Sequence, residues 1–115
     1  MTKPKRGEIW LVDFEPQIAE EIKKRRPAVV LSIHELRFLP VRAVVPVRGY
    51  KLKDQKKYYM VPLPEGVQNN LNKRSSVDCS QIKSFSIKRF IKKIGKVTEE
   101  EIDLISDTAS YCIGR

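Results

Sequence analysis

Apolar residues along this chain fall in short runs, each broken by charged or turn-forming residues, and most of the runs read as strands. Ile9 to Phe14, an apolar run with a glycine entry at Gly7 and an Asp-Phe exit, gives the first. The segment Glu15 to Arg26 mixes three carboxylates with four basic groups and no glycine, which reads as a solvated loop. Pro27 stops any helix and forces Arg26 into extended geometry, and the β-branched run that follows predicts a buried strand over Ala28 to Ile33. A third strand is expected over Ala43 to Val47, with Pro46 implying an edge position or the strand's last turn. Tyr58 to Val61 gives a fourth, just before Pro62-Leu63-Pro64.

The stretch Gly66 to Lys73 is polar and turn-like, with Asn69-Asn70 suited to left-handed backbone. Ser75 to Asp78 and Gln81 to Phe85 form a last strand or a bent pair. Phe85 to Phe90 predicts one helical turn, with Ile91 and Ile94 packing beyond it. Thr98 with Glu101 three residues on is a capping box, and Ile102, Ile105, Ala109 and Cys112 recur at helical spacing. Gly114 closes that helix. The pattern is mainly antiparallel β with one C-terminal helix, without internal repeat or linker.

Composition narrows the picture. At 115 residues the chain is expected to be one domain over 1–115, with a single core. No apolar run approaches the ~20 residues that span a bilayer, and the basic N-terminus has no apolar stretch after it, so neither membrane insertion nor a signal peptide is expected. Cys79 and Cys112 form no C-x-x-C pair and His34 is the lone histidine, which argues against zinc and for a reducing, cytoplasmic setting.

Charge points to an anionic partner. Residues 23 to 97 hold 19 Lys or Arg against four acids, a local net of +15, whereas residues 98 to 115 have a net of −4. Lysine-rich surfaces also serve solubility, so position matters more than total. Arg48, Lys51, Lys53, Lys56 and Lys57 fall between two expected strands, as a backbone-tracking patch for single-stranded nucleic acid would. Arg26, held extended at the lip of a core strand, offers a bidentate fork to a phosphate; the plainer reading is the end of a solvated loop.

Two motifs in order carry a resemblance: Gly7-Glu8-Ile9-Trp10-Leu11-Val12-Asp13-Phe14 with Pro16, and Arg25-Arg26-Pro27-Ala28-Val29-Val30-Leu31-Ser32. Val77 to Phe85 and the closing Ile94-Gly95-Lys96-Val97-Thr98 helix start extend it over roughly Lys5 to Gly114. The chain resembles the MazF/PemK family of toxin endoribonucleases. The resemblance implies a small, twisted, half-open antiparallel barrel of SH3-like or PemK-like form with a C-terminal helix. It also implies a homodimer, an acidic antitoxin protein as partner and single-stranded RNA as substrate.

In that family RNA is cut without metal or other cofactor, the 2′-hydroxyl attacking the adjacent phosphate. Two-histidine chemistry is excluded here, and the acids are too dispersed for a two-metal centre. Carried over, Arg26 is the catalytic arginine before proline, Glu21 a helping loop acid, and Gln81 and Lys83 the substrate-contacting pair, with Ser80 where an acid often sits. Arg25, Lys51 and Lys53 join the RNA-binding set. Plain readings exist for Ser80, Gln81 and Lys83 as a turn hydroxyl, a strand-edge amide and a solvated lysine. Arg48 departs from the family, which places Thr or Ser there; either it supplies a second catalytic cation, or Tyr50 or Ser32 substitutes, or cleavage is weak or absent. The alternatives are therefore a non-catalytic RNA-binding relative and a CcdB-like gyrase poison. The latter uses a Trp-Gly-Ile tail, where this chain ends Tyr111-Cys112-Ile113-Gly114-Arg115.

Overall fold

A computed structural model describes residues 3–14 and 25–115. Seven strands and one helix are formed among them: β1 (Glu8–Asp13), β2 (Arg25–Val30), β3 (Val41–Gly49), β4 (Met60–Leu63), β5 (Ser75–Asp78), β6 (Lys83–Ser86), β7 (Phe90–Lys96) and α1 (Glu99–Cys112). Pairing is antiparallel throughout, in the order β4-β5-β3-β2-β1-β7, with β6 also on β3. The sheet curls without closing, so the expected half-open, mainly β architecture with a C-terminal helix is what forms.

The curl follows from how β3 changes neighbours. Its first half, Val41 to Val44, pairs with β6, and its end, Val47 to Gly49, pairs with β5. Pro46 sits at the changeover, paired with Ala28 of β2 but with no β5 or β6 residue opposite it. The expectation of an edge position for Pro46 is thus corrected: β3 is central, and its proline falls where the ladder already breaks. β4, at one edge of the sheet, carries an exposed Pro62.

Alternation sends neighbouring side chains into two cores. Ile9, Val29, Val45, Val47, Leu63 and Val77 pack with Ile102, Ile105 and Ala109 of α1. Trp10, Val12, Ala28, Val30 and Val44 gather on the other face around Phe90. Trp10 meets Phe90 edge-on at 6.1 Å between centroids. The helix begins as expected, since the Thr98 hydroxyl accepts from the Glu101 amide and the Glu101 carboxylate accepts from the Thr98 amide. Its charge pattern leaves Leu104 and Tyr111 exposed and Ile105 fully buried.

Boundaries moved in several places. β2 begins at Arg25 rather than Ala28 and ends at Val30, because Arg25, Arg26 and Pro27 pair with Asp13, Val12 and Leu11 of β1. The helical turn expected over Phe85 to Phe90 shrinks to a 3-10 turn at Ile87–Arg89, capped by the Ser86 hydroxyl. Ile91 and Ile94 belong to the strand β7, whose lysines occupy the outer edge of the sheet and oppose edge-to-edge pairing. Asn70 is left-handed, at φ 57°. Among the described residues no helix is long and apolar enough to cross a membrane.

Candidate functional site

Two arginines stand at the same end of neighbouring strands. β2 and β3 run antiparallel and their last matched pair in this direction is Ala28 with Pro46. Arg26 lies two positions before Ala28 and Arg48 two beyond Pro46, so strand alternation puts both on one face. Arg25 and Arg26 are exposed, at the lip of the sheet where the anticipated site was placed. Glu21, the anticipated helping acid, lies outside the described residues.

Arg48 is built into a clamp. Its Nη2 donates to Oδ1 of Asp54 at 2.8 Å, and its Nη1 donates to Oδ2 at 3.1 Å and to the Gly49 carbonyl at 2.9 Å. Asp54 is 4% exposed, yet every demand of its carboxylate is met: Oδ2 also accepts from the Lys51 amide at 2.9 Å and from the Ser76 hydroxyl at 2.8 Å. The Arg48 hydrogen bonds outweigh burial and, with the Lys51 amide and Ser76, hold the Asp54 carboxyl far below the usual carboxylate range. The same pairing raises Arg48 and keeps it charged. The clamp spans three pieces of chain: the end of β3, the 3-10 turn Leu52–Lys56, and β5. Lys51 and Lys53 are exposed on this turn.

Next to the other end of β5 comes a second organised turn. Asp78 Oδ1 accepts from both the amide and the hydroxyl of Ser80, at 3.1 and 2.6 Å, and Oδ2 accepts from Gln81 Nε2 at 2.8 Å. The carboxylate thereby orients the Gln81 side chain, while Lys83 is exposed at the start of β6. Cys79 is fully buried behind the turn, where burial pushes its thiol up to about 12, so it anchors and does not act as a nucleophile. Beside the clamp, a cavity of about 340 Å³ is bounded by Tyr50, Asp54, Tyr58, Pro62, Arg74 and Ser76. The Arg74 guanidinium lies 3.9 Å over the Tyr50 ring. A larger cleft of about 440 Å³, between the N-terminal segment and the start of α1, shares no residue with this site.

Sequence reasoning had Arg26, Arg48, Ser80, Gln81 and Lys83 but missed Asp54, Ser76 and Asp78. A signal for Asp54 was present: it is the lone carboxylate between Arg48 and Lys57, among five basic residues. Asp78 also had a signal, two residues before Ser80, the spacing of a side-chain turn. Ser76 had none, because its partner lies 22 residues away in sequence. Tyr50 and Ser32 were the hydroxyls considered as replacements at the Arg48 position. The Ser32 hydroxyl accepts from the Ala43 amide at 2.8 Å, and the Tyr50 hydroxyl is buried with no partner among the described residues. Among the described residues no cluster of three or more His, Cys, Asp or Glu could hold a metal ion.

Comparison with known proteins bears on the whole chain. The family model described as PemK-like, MazF-like toxin of type II toxin-antitoxin system matches residues 5–111. Endoribonuclease MazF9 of Mycobacterium tuberculosis (strain ATCC 25618 / H37Rv) is 31% identical over 104 residues, covering 85% of this chain and 86% of that protein. The crystal structure of MazF (Form-I) from Deinococcus radiodurans superposes with TM-score 0.79 at 20% identity, over 100% of both chains. That of MazE-MazF (Form-II) from the same organism gives TM-score 0.81 at 19% identity, over 99% of this chain and 98% of that one.

Proposed function

Because the chain belongs to the PemK-like, MazF-like toxins of type II toxin-antitoxin systems, we propose that it is a metal-independent endoribonuclease cutting single-stranded RNA at the face shared by Arg26 and Arg48. The observation that carries the reading is the placement of two guanidinium groups at the same end of adjacent strands, over an otherwise basic surface. The similarity to an endoribonuclease at 31% identity supports it.

In the reaction the 2′-oxygen forms a bond to phosphorus as the bond from phosphorus to the 5′-oxygen breaks. The 2′-proton leaves, a proton reaches the 5′-oxygen, and the products are a cyclic phosphate and a free 5′-hydroxyl. Negative charge builds on the phosphorane oxygens in between. The role of Arg26 is to hold that charge with the planar donors of its guanidinium. Glu21 is assigned to assist proton transfer. Arg25, Lys51, Lys53, Lys83, Ser80 and Gln81 bind the strand on either side of the break.

The partners follow from the same surface. An acidic antitoxin segment would occupy the basic groove, and its capture should weaken as salt rises. A second copy of the chain would cover exposed Tyr58 and Tyr111, whose rings meet edge-on, and Leu104, exposed two turns earlier on α1, with RNA lying across both subunits. The cytoplasm, where its RNA substrate is found, is the assigned location. Long single-stranded RNA incubated with the purified protein in EDTA should be cut, with discrete 5′-hydroxyl ends. Cleavage that EDTA abolishes and magnesium or manganese restores would refute the metal-free reading.

A further inference from the structure

The clamp around Arg48 does more than neutralise a charge. A guanidinium has five N–H donors in a plane, arranged along an end edge shared by the two Nη groups and a side edge shared by Nε and Nη2. Asp54 takes the end edge, through Nη1 to Oδ2 and Nη2 to Oδ1. The remaining Nη1–H goes to the Gly49 carbonyl. What is left is the whole side edge, Nε–H and one Nη2–H, two parallel donors for which the described residues provide no acceptor. The Arg48 side chain is 32% exposed whereas that of Asp54 is only 2% exposed, so solvent reaches the pair from the Arg48 side.

We propose that Asp54, braced by the Ser76 hydroxyl and the Lys51 amide, is a positioning residue that fixes Arg48 so that its Nε/Nη2 edge grips a phosphate of the bound RNA. This deepens the endoribonuclease reading and rests on it. A flexible arginine at this point would spend conformational freedom on every encounter with substrate. One locked by a buried, fully satisfied carboxylate does not, and its two parallel donors match a pair of phosphate oxygens. The 3-10 turn Leu52–Lys56 then has a purpose in the site, since it carries Asp54 beneath the strand end while leaving Lys51 and Lys53 outside.

Four variants test this: Arg48→Ala, Arg48→Lys, Asp54→Asn and the double Arg48→Ala/Asp54→Asn. Each is measured for thermal midpoint, for kcat and KM on a cleavable single-stranded RNA, and for affinity to the same RNA carrying 2′-O-methyl groups. Arg48→Ala should lower kcat by about a hundredfold, the loss typical of one preorganised donor. Arg48→Lys should recover only part of it, because it restores charge without the fork. Asp54→Asn should lower kcat by about tenfold or more, and the double variant should be no worse than Arg48→Ala alone, since two residues acting as one unit are non-additive. A merely structural Asp54 would add its activity loss to that of Arg48→Ala in the double variant, which would overturn the proposal. Should Asp54→Asn fail to fold, Ser76→Ala, which removes the brace and keeps the ion pair, must show a smaller loss of kcat in the same direction. Arg48→Ala that cleaves at the parent rate or faster would also overturn it, making the clamp a latch on a dispensable side chain. A parent protein that does not cleave, yet binds the 2′-O-methyl RNA through Arg48, would instead refute the endoribonuclease reading and leave the clamp standing.

Discussion

The two arginines of the site are prepared in opposite ways. Arg26, the second residue of β2, is an exposed side chain without a side-chain hydrogen bond among the described residues. What fixes it is its backbone: Pro27 behind it, Val12 of β1 beside it, and a fully buried run from Ala28 to Val30 immediately after. Arg48, two strand positions past the matched Pro46, is fixed through its side chain by a carboxylate within the 3-10 turn that follows β3. One guanidinium is free to adapt to a reacting phosphate, and the other arrives already oriented. In the proposed reaction the first settles onto the phosphate only after RNA binds, whereas the second is oriented beforehand.

The largest effect should come from breaking the adaptable side. Arg26→Ala is expected to reduce turnover by 10²- to 10³-fold, about 3–4 kcal/mol of transition-state stabilisation. Circular dichroism and thermal midpoint should hold close to the parent, because the side chain is exposed. Normal cleavage by Arg26→Ala at saturating RNA would mean that the catalytic charge lies elsewhere.

The prepared side should reveal itself through pH. The Asp54 carboxyl titrates lower in the folded chain than in the unfolded one, whose carboxyl lies near about 4. A lowered folded-state value means the stabilisation is fully present above that range and is lost as pH falls below it, toward the folded-state value. Glu8 adds to the same trend: burial would raise it, but hydrogen bonds from Trp10, the Lys5 amide and Lys93 together lower it. Urea midpoints measured from pH 7 down to 2.5 should therefore decline for the parent below about pH 4 and decline less for Asp54→Asn. Parallel curves would show that the clamp adds nothing to the folded state.

The same contrast explains what could be read from sequence. Features fixed by near neighbours were legible: the Thr98–Glu101 cap, the left-handed Asn70, the strand around Ile9 and the place of Arg26 before proline. β7 was not, because Phe90-Ile91-Lys92-Lys93-Ile94-Gly95-Lys96 has no clean alternation, and its register with β1 shifts twice. The start of β2 was misplaced because a charged Arg25-Arg26 looks like loop until β1 supplies a partner. The clamp was half legible. Arg48 stood out as a departure, but its meaning depends on Asp54 and on Ser76, which only the fold brings together.

A middle-sized effect is expected at the Asp78 turn. Gln81→Ala should remove an amide that Asp78 holds in one orientation, raising KM several-fold with a smaller change in kcat, as loss of a binding contact does. Asp78→Asn should act in the same direction, since an amide cannot accept from Ser80 and Gln81 as strongly as a carboxylate. A fall in kcat with KM unchanged would place Gln81 at the reacting phosphate and enlarge the catalytic set beyond the two arginines.

The smallest effect should come from the lysines that neither backbone nor clamp holds. Lys53 lies exposed on the 3-10 turn and Lys83 exposed at the start of β6. Each is a hydrated point charge, so its contribution to RNA binding is the counterions its phosphate contact releases. Lys53→Ala and Lys83→Ala should each weaken binding nearly equally across RNA sequences and flatten the plot of log affinity against log salt by about one unit. Turnover at saturating RNA should remain that of the parent. Arg48→Ala measured beside them separates the two kinds of cation: if it too changed only affinity and salt slope, the oriented guanidinium would be one more tracking charge. A drop in kcat for Arg48→Ala, with Lys53→Ala and Lys83→Ala confined to affinity, is the pattern expected when orientation rather than charge sets the contribution of a basic residue here.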